Sequence, residues 1–175
     1  MHDIVMIGSS IFEFWQKPNW GTLNISNNAI RSTQSLDWYN SDLSTLPKAK
    51  NYLVYCGSND LIYGVPPEQT VANINIVLFS LAKLNPDAKI GYFSIMKCPQ
   101  KQEAQQLTVI DKMNKHIKTA TCCGVNNRIH YFDFNDYINN DKKWFSEDGL
   151  HLTEQAYQML DEKLKPVISK WALDS

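Results

Sequence analysis

The stretch Asn51-Tyr52-Leu53-Val54-Tyr55-Cys56-Gly57-Ser58-Asn59-Asp60 decides how this chain folds. Asn51–Tyr55 is a mostly apolar run of strand length without clear polar alternation, the pattern of a strand covered on both faces. Gly57–Asp60 is a cluster of turn formers, so the strand stops sharply and delivers polar side chains to one end of a sheet. Runs of the same kind occur at Ile4–Ile7, Lys89–Ile95 and Ile129–Phe134, with a weaker one at Thr22–Ile25.

Helical patterns fill the intervals. Pro67–Leu84 carries Val71, Ile74, Val77, Leu78 and Leu81 at helical spacing, and Gln102–Ala120 does the same with Leu107, Ile110, Met113 and Ile117. A further helix is expected within Ser32–Leu46. The last begins near Thr153, carries Ala156, Met159, Leu160 and Leu164, and meets a helix breaker at Pro166 before Val167–Leu173. Strands alternating with helices of this length imply parallel βαβ crossovers. The expected fold is therefore α/β: a three-layer α/β/α sandwich, flavodoxin-like, around a parallel sheet of about five strands.

With 175 residues, 43% hydrophobic and 11% aromatic, the chain fits one domain spanning residues 1–175. Val65-Pro66-Pro67 reads as a helix lead-in and not as a boundary. The formal net charge is −1, with Lys and Arg scattered, so no nucleic-acid or anionic-membrane footprint is present. The start, MHDIVMIGSSIFEFW, lacks the basic residues and small-residue cleavage site of an export signal. Its apolar runs fall well short of the roughly 20 residues that cross a bilayer. Cys56, Cys98, Cys122 and Cys123 lack metal-ligand spacing and are expected to be free thiols in a reducing cytoplasm.

In an open parallel sheet, ligands bind beyond the carboxyl ends of the strands. Four polar clusters are expected there: Gly8-Ser9-Ser10, Asn27–Ser32, Gly57–Asp60 and Ser146–Leu152. Acyl transfer by serine needs a nucleophile, a base oriented by an acceptor, and donors for the oxyanion, and these clusters hold all three. Ser10 stands where a strand turns into a helix, although Ser9 or Ser10 equally suits a helix cap. Asp148 precedes His151 by three residues, so a tight turn lets it accept from the imidazole; the same residues also suit a plain surface turn. Asn59 offers a side-chain amide, or an Asx turn.

These clusters resemble the SGNH, or GDSL-like, hydrolases over nearly the whole chain. Gly8-Ser9-Ser10-Ile11 is similar to the family's G-D-S-[LI] block, Gly57-Ser58-Asn59-Asp60 to its G-x-N-D block, and Asp148-Gly149-Leu150-His151 to its D-x-x-H block. Leu84–Ile90 resembles the family's lead into the fourth strand. The resemblance implies a serine esterase, with Ser10 as nucleophile, His151 as base and Asp148 orienting it; a domain this short has little room for a lid, so an open site suited to an acetyl or short acyl ester is expected. It also implies an oxyanion hole from Ser10, Ser32 and Asn59, and neither metal nor cofactor.

Two positions depart from the family. Ser9 stands where aspartate is usual, which puts a second hydroxyl beside Ser10. Ser32 occupies the place of the oxyanion glycine in Asn27–Ser32, which keeps the backbone N–H and adds strain if φ must be positive. No G-x-S-x-G elbow, P-loop, G-x-G-x-x-G or H-E-x-x-H motif competes. His2, His116 and His130 are expected to be structural or exposed, and Trp15, Trp20, Trp38 and Trp171 to anchor the core. Met96–Gln106 and Tyr63–Pro67 are expected to wall the crevice, with Phe12, Tyr63, Trp144 and Phe145 either lining it or packing into the core. Two other functions fit these residues: transfer of the acyl group to a carbohydrate hydroxyl, and a catalytically weak ligand-binding member of the fold.

Overall fold

The computed structural model describes residues 1–122 and 128–174; Cys123 lies outside the described residues. Five strands, β1 (His2–Gly8), β2 (Ile25–Asn27), β3 (Ala49–Tyr55), β4 (Lys89–Phe93) and β5 (Ile129–Phe132), form one sheet in the order β2-β1-β3-β4-β5. Every neighbouring pair is parallel, with Ile4 opposite Ile25, Met6 opposite Leu53, and Val54 opposite Tyr92. The expected flavodoxin-like parallel sheet is the one observed, and its strand order is that of the flavodoxin type.

Among the described residues seven helices cover the faces: α1 (Ser10–Phe14), α2 (Ser35–Asn40), α3 (Ser58–Ile62), α4 (Pro67–Leu84), α5 (Pro99–Glu103), α6 (Leu107–Cys122) and α7 (Glu154–Leu173). Strand side chains alternate between two cores, as the two-residue period of a strand requires. Ile4, Met6, Leu53, Tyr55 and Phe93 pack with α1 and α7, while Val5, Ile7, Tyr52, Val54 and Tyr92 pack with α2, α4 and α6. Trp15, Trp20, Trp38 and Trp171 are buried, as expected of core anchors. Phe12 and Phe145 belong to the core too; Phe12 packs against Tyr55, Phe93 and Phe134.

Several boundaries differ from the sequence expectation, each for a local reason. The helix expected within Ser32–Leu46 begins only at Ser35, because Ser32 is left-handed and Gln34 and Asp37 form a capping box at the true start. It ends at Asn40, and Asp42 caps a separate 3-10 turn, Leu43–Thr45. Gln105, also left-handed, divides Gln102–Ala120 into the end of α5 and the start of α6. β2 lies two to three residues later than Thr22–Ile25, because Asp3 and Ile4 N–H already bond the Asn24 carbonyl where the ladder opens. β4 and β5 end at Phe93 and Phe132, where Ser94 Oγ donates to Asp133 and turns the chain out of the sheet. α7 starts at the expected Thr153 cap, whose Oγ accepts from Ala156 N–H, and runs unbroken through Pro166.

Glycine at position 8 follows from the packing. Its φ is +144°, and a Cβ there would fall on the Tyr55 carbonyl oxygen of the neighbouring strand. Only glycine lets β1 lie against β3 at this point and turn directly into α1.

Candidate active site

The crevice opens where the connections from β1 and β3 leave for opposite faces of the sheet. Ser10 stands at the start of α1 after β1, and Asn59 in the first turn of α3 after β3. The Asp148–His151 turn comes from the segment after β5 and runs into α7. α1 and α7 are fastened together: Trp15 Nε1 donates to Asp161 at 2.9 Å, and Tyr157 OH donates to the Ile11 carbonyl at 2.8 Å. Residues from both ends of the chain therefore share one rigid corner.

His151 Nε2 lies 3.1 Å from Ser10 Oγ, and His151 Nδ1 lies 2.5 Å from Asp148 Oδ2. With Nδ1 carrying the proton toward the carboxylate, Nε2 is left as the acceptor for the Ser10 hydroxyl. The second carboxylate oxygen, Oδ1, accepts from Leu150 N–H at 2.9 Å and His151 N–H at 3.0 Å. Burial pushes the Asp148 carboxyl upward, but the His151 hydrogen bond and those two N–H groups outweigh it, leaving the group below its ordinary value. Gly149 makes the turn at φ +66°, and its carbonyl accepts from Gln100 N–H at 3.0 Å. Ser146 N–H bonds the His151 carbonyl at 2.8 Å and closes the turn.

Ser9 is the cap residue of α1, 2% exposed, and its hydroxyl makes no cap bond. It is the neighbouring Ser10 that meets the imidazole. Ser32 has φ +64°, the left-handed conformation anticipated for an oxyanion glycine, and its side chain is exposed. Among the described residues, neither Ser10 N–H nor Ser32 N–H engages an acceptor. Asn59 Nδ2 donates to the Thr33 carbonyl at 2.9 Å, which uses one amide proton and ties α3 to the Ser32 loop. The other amide proton is left for a ligand.

Several site supports are not legible as such in the sequence. Asn27 Nδ2 donates to the Phe12 and Trp15 carbonyls and closes the end of α1, while Asn27 Oδ1 accepts from Ala29 N–H. Asp60 accepts from Ser35 N–H and from Ser35 Oγ at 2.5 Å, and Asn73 donates to the same hydroxyl, so the acidic residue of the G-x-N-D block clamps α2 to α3. Phe14 packs on His151 with centroids 5.2 Å apart, and Arg31, paired with Glu13 at 2.8 Å, lies over the Phe14 ring. The block positions of Asn27 and Asp60 were visible, but their partners exist only in three dimensions.

A cavity of about 330 Å³ adjoins Asp148, lined by Gln100, Glu103, Lys142, Phe145, Ser146 and Glu147 among others. Part of the expected Met96–Gln106 wall therefore borders the acid side of the site. Tyr63 is exposed beyond α3. His116 is exposed, and His130 packs edge-on against Trp171. No cluster of metal-ligating side chains occurs among the described residues.

Fold and site together define the class: an α/β sandwich with a serine, a histidine and an aspartate brought together at the carboxyl end of its parallel sheet. A family model for the GDSL-like Lipase/Acylhydrolase family matches residues 8–159, and the chain belongs to that family. No curated protein sequence matches the chain. Among solved structures, a Streptococcus pneumonia protein provisionally designated a platelet activating factor is 23% identical, with a TM-score of 0.82 over 95% of this chain and 84% of its own. The psychrotrophic esterase EstA from Pseudoalteromonas sp., solved with monoethylphosphonate as inhibitor, is 17% identical with a TM-score of 0.74, over 98% and 100%. A carbohydrate esterase family 3 protein from Talaromyces cellulolyticus is 14% identical with a TM-score of 0.78, over 100% of both chains. At these identities the likeness is one of fold. No described helix is long and apolar enough to cross a membrane.

Proposed function

We propose that this protein is a serine esterase that cleaves acetyl or other short acyl esters through an acyl-enzyme. The reading is carried by the chain of contacts from Asp148 Oδ2 through His151 to Ser10 Oγ, at 2.5 and 3.1 Å. As Ser10 Oγ bonds to the ester carbonyl carbon, its proton passes to His151 Nε2. The negative charge that develops on the carbonyl oxygen faces the N–H groups of Ser10 and Ser32 and the Asn59 amide. Collapse expels the alcohol, which takes the proton from His151. Water then attacks the acyl-Ser10 ester, gives a proton to His151, and leaves the acid and a restored hydroxyl.

The polar lining of the cavity beside Asp148 suits an alcohol rich in hydroxyls, which supports a carbohydrate or small-molecule ester as substrate. The same lining favours a second reading, transfer of the acyl group from Ser10 to a sugar hydroxyl. A soluble sugar that diverts product from free acid to sugar ester decides for transfer. The buried free thiols Cys56 and Cys98 support the cytoplasm as its compartment.

Fluorophosphonate labelling followed by peptide mapping tests the core assignment. One adduct is expected, on Ser10, absent in Ser10→Ala and reduced at least about a hundredfold in rate in His151→Ala. An adduct on Ser9 overturns the choice of nucleophile. Absence of any adduct and of ester turnover points to the weak binding member of the fold.

A further inference from the structure

Lys101 is 1% exposed, an environment lysine seldom occupies without a counter-charge. Its Nζ donates to the Ser58 carbonyl at 2.8 Å, and Ser58 opens α3 directly before Asn59. The preceding residue, Gln100, gives its N–H to the carbonyl of Gly149, between Asp148 and His151. Two consecutive residues of α5 thus hold the turn that carries the oxyanion amide and the turn that carries the acid and base. No carboxylate forms an ion pair with Lys101 among the described residues.

Resting on the esterase reading above, we propose that Lys101 is a positioning residue for catalysis: its buried ammonium group fixes the Ser58–Asn59 turn and, through α5, the spacing between that turn and the Asp148–His151 loop. A charged donor to a carbonyl makes a shorter and stronger bond than a neutral one. A loss of fit of about 1 Å at such a site costs on the order of a hundredfold in rate.

The bond is therefore sensitive to the charge state of the amine. Burial lowers the Lys101 ammonium to about 8, opposed in part by Asp60 of α3, while Cys98 stands at the head of its own helix. Tyr55 of β3 and Asp148 of the site loop face Cys98 in turn. Burial pushes the Cys98 thiol and the Tyr55 phenol upward, so both keep their protons where Lys101 loses its own.

The test is kcat and KM for acetate release from a soluble acetyl ester, followed in a pH-stat across the window centred on about 8. Wild type is expected to lose kcat on the alkaline side of that value, with KM nearly constant. Lys101→Met is expected to lower kcat about tenfold and to abolish the alkaline limb, a smaller loss than the ~10²–10³ for removing an oxyanion donor outright. Lys101→Arg, which keeps its charge, moves the limb beyond the window. A wild-type kcat that stays flat through the window overturns the proposal even if Lys101→Met does not fold, and so does a limb that persists in Lys101→Met. Wild type without esterase activity overturns the esterase reading itself, and this inference falls with it.

Discussion

Ser32 holds a left-handed backbone with a side chain that gains nothing visible from it. Its φ of 64° costs about 1–2 kcal/mol for a residue bearing a Cβ, while glycine in its place would lose about 0.5–1 kcal/mol through the freer unfolded chain. The difference favours glycine. Ser32→Gly is expected to raise stability by about 0.5–1 kcal/mol in chemical denaturation. It should leave kcat at or above the wild-type value, since the N–H is retained. A drop in kcat would mean that the Ser32 hydroxyl itself touches substrate. At Asp148 the sign of the pH response can be worked out. Its folded carboxyl is held below the ordinary value, so its stabilising contribution is present above the unfolded value of ~3.9 and is lost only as pH falls through the lower folded one. Asp148 therefore stays ionised from about pH 7 to about pH 5.

Among the elements, the junction of α2 and α3 is the most exacting. Asp60 is fully buried and its carboxylate receives both the N–H and the hydroxyl of Ser35, whose hydroxyl also receives Asn73. Asp60→Ala leaves those donors without their acceptor and should destabilise the fold by about 3 kcal/mol, read from urea or thermal unfolding. A change below about 0.5 kcal/mol would show that the clamp is dispensable. This junction also shows what a sequence can and cannot disclose. β1 and β3 were legible as continuous apolar runs of strand length, α4 and α7 because their apolar residues repeat at the helical period, and the D-x-x-H turn because its partners lie within four positions of one another. The extent of α2 was not, since one left-handed serine and a capping glutamine set it. Lys101 was not either: between Gln100 and Gln102 it has the look of a surface residue, and only the approach of α5 to α3 buries it. Ser10 rather than Ser9 was indicated by register alone until the imidazole was in place.

For the molecule as a whole, the strand order β2-β1-β3-β4-β5 makes the connections after β1 and β3 part to opposite faces, and the site fills the gap they leave. Ser10 and His151 stand 141 positions apart in the chain, joined by one hydrogen bond. That separation has a consequence for the nascent protein. If Ser10 is the nucleophile proposed above, it is an ordinary alcohol at the end of a strand until the ribosome has released the segment bearing His151, and the growing chain is unable to attack an ester. On the esterase reading proposed above, hydrolytic power arrives all at once with that segment, and a chain cut short ahead of it is born harmless.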